Sequence, residues 1–243
     1  QTIREMEQDL GVKLVDRSHR PWVLTRQGEA FYRGCCDLVS RYDSLRKQVA
    51  VPPLEESRRI RVGAIYSVGI RHMRIYIRNF SRRDEKVQIS LEYLHPDEVV
   101  NRVLAGDLDI GIVSFPRPQR NLRIVHWQNE LMVLACSPDH SLAGEDEIEV
   151  SRIAGENMVA FDKGLQIRRE IDRFLKERNV EVKAELAFDN IESIKRAVEA
   201  RAGVAILPRP TFEREVRQGL LRAVHFKGEN FCRPLAILTR KTK

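Results

Sequence analysis

The stretch from Glu7 to Glu29 constrains the fold most, because helix, turn and strand signals follow one another closely within it. It opens in the last turns of a predicted helix, where apolar residues lie three and four apart and a glycine follows them: Ile3, Met6, Leu10 and Gly11. Two short strands are predicted at 12–16 and 22–25, on either side of a turn at 17–21. Thr25 can then cap a second, longer helix through its hydroxyl group.

Basic side chains surround the predicted turn: Lys13, Arg17, His19 and Arg20. Cations on a hairpin can neutralise phosphates and reach into a narrow minor groove. A basic turn taken alone is more often a solvated surface, and the net charge of +7 is compatible with nucleic acid without establishing it. The order helix, basic hairpin, long helix favours DNA binding, because it is typical of the second half of a winged helix-turn-helix.

The segment 26–50 is predicted to form one long helix. Its apolar residues recur at alternating steps of four and three, which is a heptad pattern: Phe31, Cys35, Leu38, Tyr42, Leu45 and Val49. The regular spacing favours a dimerisation helix, although an amphipathic helix packed on its own domain would also satisfy it. Pro52 and Pro53 end the helix because proline removes a donor and fixes φ, so 51–57 is predicted to be a hinge.

Beyond residue 57 strands and helices alternate, which predicts a mostly parallel α/β architecture. Several strand candidates are nearly continuous apolar runs, as expected for strands buried on both faces. The candidates are 59–65, 87–94, 108–113, 131–136, 158–161, 182–187, 204–207 and 235–239. Amphipathic stripes lie between them, and Asp189 with Glu192 predicts a capping box at the start of one helix.

Composition and motifs narrow the possible functions. The 243 residues suffice for one large or two modest domains, and no run approaches the roughly eighteen apolar residues of a membrane-spanning helix. No metal-ligand cluster, nucleotide-binding loop or catalytic motif occurs. We therefore predict no enzyme activity, no metal and no cofactor. The cysteines form no C-x-x-C pair and are expected to be free thiols: Cys35, Cys36, Cys136 and Cys232.

Two sets of motifs together resemble the LysR-type transcriptional regulators. The first is an N-terminal pattern at fixed spacing: Glu7, Leu10-Gly11-Val12, Leu14, Arg17, Arg20, Leu24-Thr25 and Gly28-Glu29. The second lies in the α/β part: Val62-Gly63-Ala64, 104–113, 138–143 and 202–208. Val15 stands where the family usually has phenylalanine, which is a conservative change. With the hairpin and the long helix, the resemblance covers essentially the whole chain.

The resemblance implies a remnant of a winged helix-turn-helix, a linker helix and an effector domain like the type-2 periplasmic binding proteins. Such a domain has two α/β lobes joined by two crossover strands, with a small-molecule cleft between them. The expected bounds are 1–25 for the DNA-binding part, 26–50 for the linker helix, 51–57 for the hinge, 58–140 with 209–243 for the first lobe and 141–208 for the second. In the family, helices precede the position of Gln1, so we expect a truncated chain that binds DNA weakly or not at all.

The resemblance also assigns DNA-facing residues. Arg20 matches the wing arginine that lies at the minor groove, and Arg17 lies beside it on the hairpin. Gln1 and Thr2 match recognition-helix positions that face the major groove, where a glutamine can pair with adenine through two hydrogen bonds. These four residues are the predicted DNA contacts.

Ligands of open α/β sheets lie beyond the carboxyl ends of strands, which nominates residues at several strand ends. Ser67 follows Tyr66 after the first strand, and we expect it to cap a helix beginning near Gly69. In the family the Ser or Thr at this position is commonly an effector ligand. The further predicted effector contacts are His95, Ser114, Lys163 and Asn190. Each also has a structural interpretation, such as a helix cap, that the sequence leaves open.

A basic stripe is predicted on one helix: Arg71, Arg74, Arg78 and Arg82. The sequence leaves open whether it is solvated, pairs with acidic residues at a subunit interface or reaches an anionic effector.

We predict a cytoplasmic LysR-type regulator, in which an effector between the lobes shifts the populations of an oligomer on promoter DNA. The oligomer is a dimer or a dimer of dimers, and the effector is anionic in character. The alternative is a solute-binding receptor of periplasmic type without a DNA-binding role. That class shares the α/β part but predicts a signal peptide and no N-terminal hairpin, so the hairpin, heptad helix and free cysteines favour the regulator.

Overall fold

The computed structural model describes residues 2–18, 20–50, 58–69 and 73–241. The chain divides into two compact units, Gln1–Glu56 and Ser57–Lys243. The division falls in the predicted hinge at 51–57, which lies outside the described residues. Within the described residues, no helix is long and apolar enough to cross a membrane. The same residues contain no group of three or more His, Cys, Asp or Glu side chains that could hold a metal ion.

The first unit is a helix, a two-stranded hairpin and a long helix. Its elements are α1 (Ile3–Leu10), β1 (Val15–Asp16), β2 (Val23–Leu24) and α2 (Arg26–Ala50). The predicted helix ends are confirmed. Gly11 closes α1 with a φ of 67°, and Thr25 Oγ1 accepts a hydrogen bond from Gly28 N at 2.9 Å at the start of α2.

Gly28 determines how closely α2 approaches the hairpin. A Cβ atom at this position would lie 1.9 Å from the carbonyl oxygen of Leu14, so a larger residue would force the helix away from the chain that leads into β1. Leu14 is buried there, whereas Trp22, Val23 and Leu24 on the hairpin are exposed. The close contact at Gly28 therefore fixes the hairpin on α2, while the outer side chains of the hairpin stay exposed.

The first core of the second unit lies under three parallel strands. Its elements are β3 (Arg58–Ala64), α3 (Tyr66–Val68), α4 (Arg74–Ser81), β4 (Val87–Tyr93), α5 (Pro96–Ala105) and β5 (Ile110–Ser114). β3 pairs in parallel with β4 on one side and with β5 on the other. The buried side chains include Val62, Val99, Val103, Leu108 and Ile112. The carboxyl ends of the three strands therefore lie at one edge of the sheet.

Two long antiparallel strands, β6 (Leu122–Cys136) and β12 (Cys232–Arg240), extend the sheet beyond β5. β6 begins at Leu122, whereas the predicted strand was only 131–136. Its first half mixes polar and apolar residues, which are mostly exposed or half-buried, and pairs with β12, so no apolar run marks it in the sequence. These strands make the sheet mixed, and the prediction of a mostly parallel sheet was wrong for this reason.

The second core is built on the last residues of β6. Its elements are β7 (Glu147–Ile148), β8 (Asn157–Phe161), α6 (Gln166–Lys176), β9 (Lys183–Phe188), α7 (Ile191–Glu199), β10 (Ala205–Pro208), α8 (Glu213–Arg217) and β11 (Arg222–Phe226), with 3₁₀ turns at Val150–Ile153 and Arg209–Phe212. β10 and β11 both pair antiparallel with β6. Buried side chains of this core run from Met132 to Phe226, a wider span than the 141–208 expected for the second lobe.

Candidate functional site

The carboxylate of Glu7 fastens α1 to the hairpin. Glu7 Oε1 accepts hydrogen bonds from Leu14 N at 2.8 Å and Val15 N at 3.0 Å, and Glu7 Oε2 accepts one from Arg17 Nη1 at 2.8 Å. The hydrogen bond from Val15 N and the bond from the Arg17 guanidinium lower the pKa of Glu7 to about 2. Glu7 therefore stays ionised and holds the start of β1.

The predicted DNA contacts differ in what surrounds them. Arg20 is exposed on the hairpin, next to a cis peptide bond with Pro21. Arg17 is paired with Glu7, and its guanidinium also lies 5.9 Å from the ring centroid of Trp22. Thr2 accepts a hydrogen bond from Glu5 N as the N-cap of α1, with its side chain at the surface, and Gln1 lies outside the described residues.

Ser67 does not cap a helix, contrary to the prediction. α3 begins at Tyr66 with Ile65 as its N-cap, because the chain turns into the helix directly after β3, and Ser67 therefore lies inside that turn. The hydroxyl oxygen of Ser67 accepts a hydrogen bond from Arg233 Nη1 at 2.8 Å. Tyr66 is exposed and stacks on Tyr93, with ring centroids 6.0 Å apart.

Arg233 is a fully buried cation that sequence reasoning missed. It lies opposite Glu130 where β12 pairs with β6, and its Nε donates to Glu130 Oε2 at 3.0 Å, with a second hydrogen bond from Nη2. Burial lowers the pKa of the Arg233 guanidinium, while the charge of Glu130 opposes that change. The pair connects the two long strands to Ser67. Both residues lie just outside the predicted strands 131–136 and 235–239, so the sequence contained no signal that they would be buried together.

A cavity of about 430 Å³ lies where the ends of β5 and the starts of α5 and α6 converge. The polar side chains that line it are His95, Asp97, Asn101, Ser114, Arg117, Gln119, Gln166 and Arg169. The apolar lining includes Val113, Phe115 and Leu165. His95, Asn101 and Ser114 belong to elements of the first core, whereas Gln166 and Arg169 are on α6, which packs on the second core. The cavity is therefore a cleft between the two lobes.

Two arginines in this cleft share one amide oxygen. Arg117 Nη2 donates to Gln166 Oε1, and Arg169 Nη1 lies 3.4 Å from the same oxygen. Gln166 Nε2 donates to Glu170 Oε1 at 2.5 Å, which fixes the orientation of the amide. Sequence reasoning nominated Ser114 and Lys163 at the neighbouring strand ends but missed these three residues, which lie a few positions further along the chain.

Among the predicted effector contacts, His95 and Ser114 line the cleft. His95 is the N-cap residue of α5, and its Nδ1 lies 4.0 Å from Asp97 Oδ2. Lys163 is exposed in the turn after β8, next to the lining residue Gly164. Of the residues predicted from strand ends, His95 and Ser114 therefore line the cleft, and Lys163 lies beside it.

Asn190 acts as the N-cap of α7. Its Oδ1 accepts a hydrogen bond from Ser193 N at 2.9 Å, and its Nδ2 donates to Asp189 Oδ1 at 2.9 Å. The predicted capping box of Asp189 with Glu192 was therefore wrong, because the N-cap is Asn190 and its side chain caps Ser193 N. The amide of Asn190 is engaged on both sides within the protein, which gives it a structural role.

The basic stripe is only partly within the described residues. Arg78 on α4 and Arg82 just after it are exposed, whereas Arg71 and the side chain of Arg74 lie outside the description. Exposed apolar residues lie on the same helix: Ile75, Tyr76 and Phe80.

Two α/β lobes joined by long antiparallel strands, with a cleft between them, define a ligand-binding domain of the type-2 periplasmic-binding-protein class. The model of the LysR substrate binding domain matches residues 54–243, and the chain belongs to that family. It is a LysR-type transcriptional regulator with a small-molecule effector domain, and not an enzyme.

Known proteins agree with this assignment. The uncharacterized HTH-type transcriptional regulator YybE of Bacillus subtilis (strain 168) is 25% identical over 210 residues, which are 85% of this chain and 71% of YybE. The regulatory domain of CcmR from Synechocystis PCC6803, solved in complex with 2-PG, has a TM-score of 0.69 and 20% identity, covering 76% of this chain and 88% of that one. The crystal structure of full-length BenM superposes with a TM-score of 0.67 at 16% sequence identity. The match covers 99% of this chain and 80% of the BenM chain.

Proposed function

We propose that the cleft between the two lobes is the effector site that controls this regulator. The observation that carries the proposal is that side chains from both cores, His95 and Ser114 from one and Gln166 and Arg169 from the other, line a single cavity. Its volume of about 430 Å³ suits a small molecule. The complex of the related CcmR domain with 2-PG supports an effector role for the domain.

A ligand in this cleft touches both lobes, so its binding energy depends on their relative arrangement. Binding shifts the population toward the arrangement in which both lobes contact the ligand. In an oligomer this shift changes the spacing of paired DNA-binding units. Ser67, whose hydroxyl accepts a hydrogen bond from Arg233, lies at the end of β3 on the same sheet edge as His95 and Ser114 but is not among the residues that line this cavity.

In the proposed function, the hairpin is the part of the protein that contacts DNA. Arg20 is exposed and basic, so it can enter a minor groove, while Arg17 supports the hairpin from Glu7 and adds positive charge. We assign α2 to dimerisation, because Leu38 and Tyr42 of its heptad stripe are exposed. The protein acts in the cytoplasm, where bacterial promoter DNA lies.

Blocking the cleft tests the effector assignment. We expect Ser114→Trp to fill the space beside His95 and to abolish the rise in melting temperature that any effector gives the wild-type protein in a metabolite screen. Such a rise is several degrees at saturating ligand and depends on ligand concentration.

Ser141→Trp is the matched control, because Ser141 is exposed and does not line the cleft. The assignment predicts that this variant keeps every ligand-induced rise. A stabilising metabolite that acts equally on Ser114→Trp and on the wild type would place the effector site elsewhere.

A further inference from the structure

The edge of the large sheet at which its parallel strands begin carries many exposed basic side chains. Five neighbouring strands contribute to this edge, in the order β4, β3, β5, β12 and β6. β12 is antiparallel to β5 and ends where β5 begins, and its last residue lies opposite the first residue of β6. We call this surface the basic edge, and its exposed members are Arg59, Arg82, Arg83, Lys86, Arg120, Arg123, Arg240 and Lys241.

One end of the basic edge is the turn between α4 and β4. Arg82 and Arg83 follow α4, and Lys86 immediately precedes β4. Arg59 lies on the neighbouring strand β3, where it pairs with Gln88 near the start of β4. The parallel pairing of β3 with β4 therefore brings these four cations to one place.

The other end of the basic edge is formed where β12 meets β6. Arg240 ends β12 opposite the first residue of β6, and Arg123 is the second residue of β6. The backbone N–H of Lys241 donates to the carbonyl oxygen of Asn121 at 2.8 Å. This hydrogen bond holds the chain beyond β12 against the loop that carries Arg120.

The cations of the basic edge are not neutralised within the chain. Arg61, a further arginine on β3, is paired with Asp109 at 3.0 Å. Among the residues that the structure describes, the members of the basic edge form no such ion pair. The other acidic side chains of the turn before β4 and of the loop before β5 are Asp84, Glu85 and Asp107. The basic edge therefore has an excess of positive charge.

Arginines elsewhere in the same unit have acidic partners. The Arg102 guanidinium donates to Glu92 through two hydrogen bonds, and Arg173 pairs with Glu170 at 2.8 Å. Like charges that gather without partners repel one another, and this repulsion destabilises the folded chain. An external polyanion removes the repulsion when it binds.

The dimensions of the basic edge suit a DNA duplex. Neighbouring strands lie about 4.8 Å apart, so five strands span about 19 Å. Duplex DNA advances about 3.4 Å per base pair, so a surface of this length faces roughly five to six base pairs and their phosphates. Interfaces between protein and DNA are also much more positively charged than interfaces between proteins.

We propose that the basic edge is a second DNA-contacting surface, which binds phosphates of the promoter duplex in addition to the contact made by the hairpin. Phosphate contacts fix the register and orientation of a protein on the duplex and carry no sequence information directly. The inference goes beyond the proposed function, because it depends neither on the cleft nor on an effector.

The salt dependence of DNA binding tests the inference on the full chain. The probe is a fluorescently labelled duplex of mixed sequence, and anisotropy is measured at several salt concentrations. Each lost phosphate contact lowers the slope of log K against log salt by about 0.9. The triple variant Arg82→Gln, Arg83→Gln and Lys86→Gln should therefore lower the slope by about 2 to 3 and weaken binding at low salt at least about tenfold.

A second triple variant tests the other end of the basic edge. Arg123→Gln with Arg240→Gln and Lys241→Gln should lower the slope in the same way. Because contacts of this kind depend on positive charge, the double variant Arg82→Lys and Arg83→Lys should bind like the wild type.

Lys183→Gln with Arg214→Gln and Arg217→Gln is the matched control. It removes the same charge from exposed residues of β9 and α8, outside the basic edge. This control should keep the wild-type slope. Melting temperatures measured without DNA show that each variant is folded.

Three results would overturn the inference. Both basic-edge triple variants could keep the wild-type slope, or the control could lower it equally, in which case binding follows net charge alone. The triple variants could also change the sedimentation of the DNA-free protein and leave DNA affinity unchanged, which would assign the basic edge to an acidic protein surface. Loss of all DNA binding in Arg20→Ala, with full binding in both triple variants, would reject the basic edge and leave the hairpin assignment in place.

Discussion

At the scale of single residues, two carboxylates hold arginines in different ways. Glu7 lies at the edge of the hairpin, and its charge accepts two backbone hydrogen bonds as well as Arg17. Glu130 is buried with Arg233, where breaking one partner would leave the other charge uncompensated. In both pairs the arginine has an internal partner, whereas Arg117 and Arg169 contact a neutral amide in the cleft. This difference separates the structural arginines from the two that line the cleft.

The titration of Glu7 is the first residue-scale prediction. Its pKa is lowered from 4.5 to about 2 in the folded chain, so its contribution to hairpin stability is fully present above pH 4.5 and is lost as the pH falls through about 2. The amide proton shifts of Leu14 and Val15 should therefore titrate in NMR spectra with a midpoint near 2.

Glu7→Gln should remove that titration and lower the melting temperature of the hairpin unit, because the charge that holds Arg17 and the two amides is gone. Glu29→Gln is a suitable control, since the Glu29 side chain is exposed and lies 3.6 Å from Arg33. A midpoint near 4.5 for the amides of Leu14 and Val15 would contradict the assignment.

At the scale of elements, the sequence predicted long periodic segments well. The heptad spacing predicted a helix over 26–50, and α2 has those bounds. β7 and β11 were missed, because a two-residue strand shows no period and β11, in which His225 interrupts the apolar residues, is not a continuous apolar run. The first half of β6 was missed because tertiary pairing with β12 stabilises it. A local sequence pattern therefore predicts the elements that local interactions stabilise, and it misses those that depend on tertiary pairing.

Only part of the candidate site was predicted, because some of its residues come together only through tertiary folding. His95 and Ser114 follow directly from the rule that ligands lie beyond strand ends. Arg117, Gln166 and Arg169 come together only when α6 of the second core faces the loop after β5, and this arrangement depends on long-range folding. Asn190 also follows a strand, but its side chain serves as the N-cap of α7 and accepts a hydrogen bond from Ser193 N.

The role of α2 gives an element-scale prediction. Leu38 is 69% exposed and Tyr42 is 66% exposed on the heptad stripe, so we expect them to pack against a second copy of the helix. Tyr42→Glu should weaken the dimer at least about tenfold in sedimentation velocity measurements, because it places a charge in the centre of an apolar contact.

Tyr32→Glu provides the comparison, since Tyr32 is also exposed on α2 but lies off the heptad stripe. It should leave the dimer unchanged. Equal behaviour of the two variants would favour a helix that serves its own domain and would remove α2 from the interface.

At the scale of the whole molecule, the proposed function couples the cleft to the hairpin through an oligomer. The cleft joins lobes with separate cores, so ligand binding can change their arrangement without disturbing either core. The hairpin is held by Glu7 and Gly28 independently of the ligand. Effector binding is therefore expected to change how DNA-binding units are paired and to leave each unit intact.

The most direct test measures DNA binding and effector binding in the same intact regulator. Fluorescence anisotropy with DNA selected by the wild-type protein should show that an effector found in the metabolite screen changes the Kd for DNA by roughly 5–150-fold, the usual range of allosteric coupling. Ser114→Trp should keep the Kd for DNA without effector and lose this response, whereas Arg20→Ala should lose DNA affinity and keep effector binding. A response in Ser114→Trp equal to that of the wild type, or unchanged DNA binding by an effector-saturated wild type, would contradict control through this cleft.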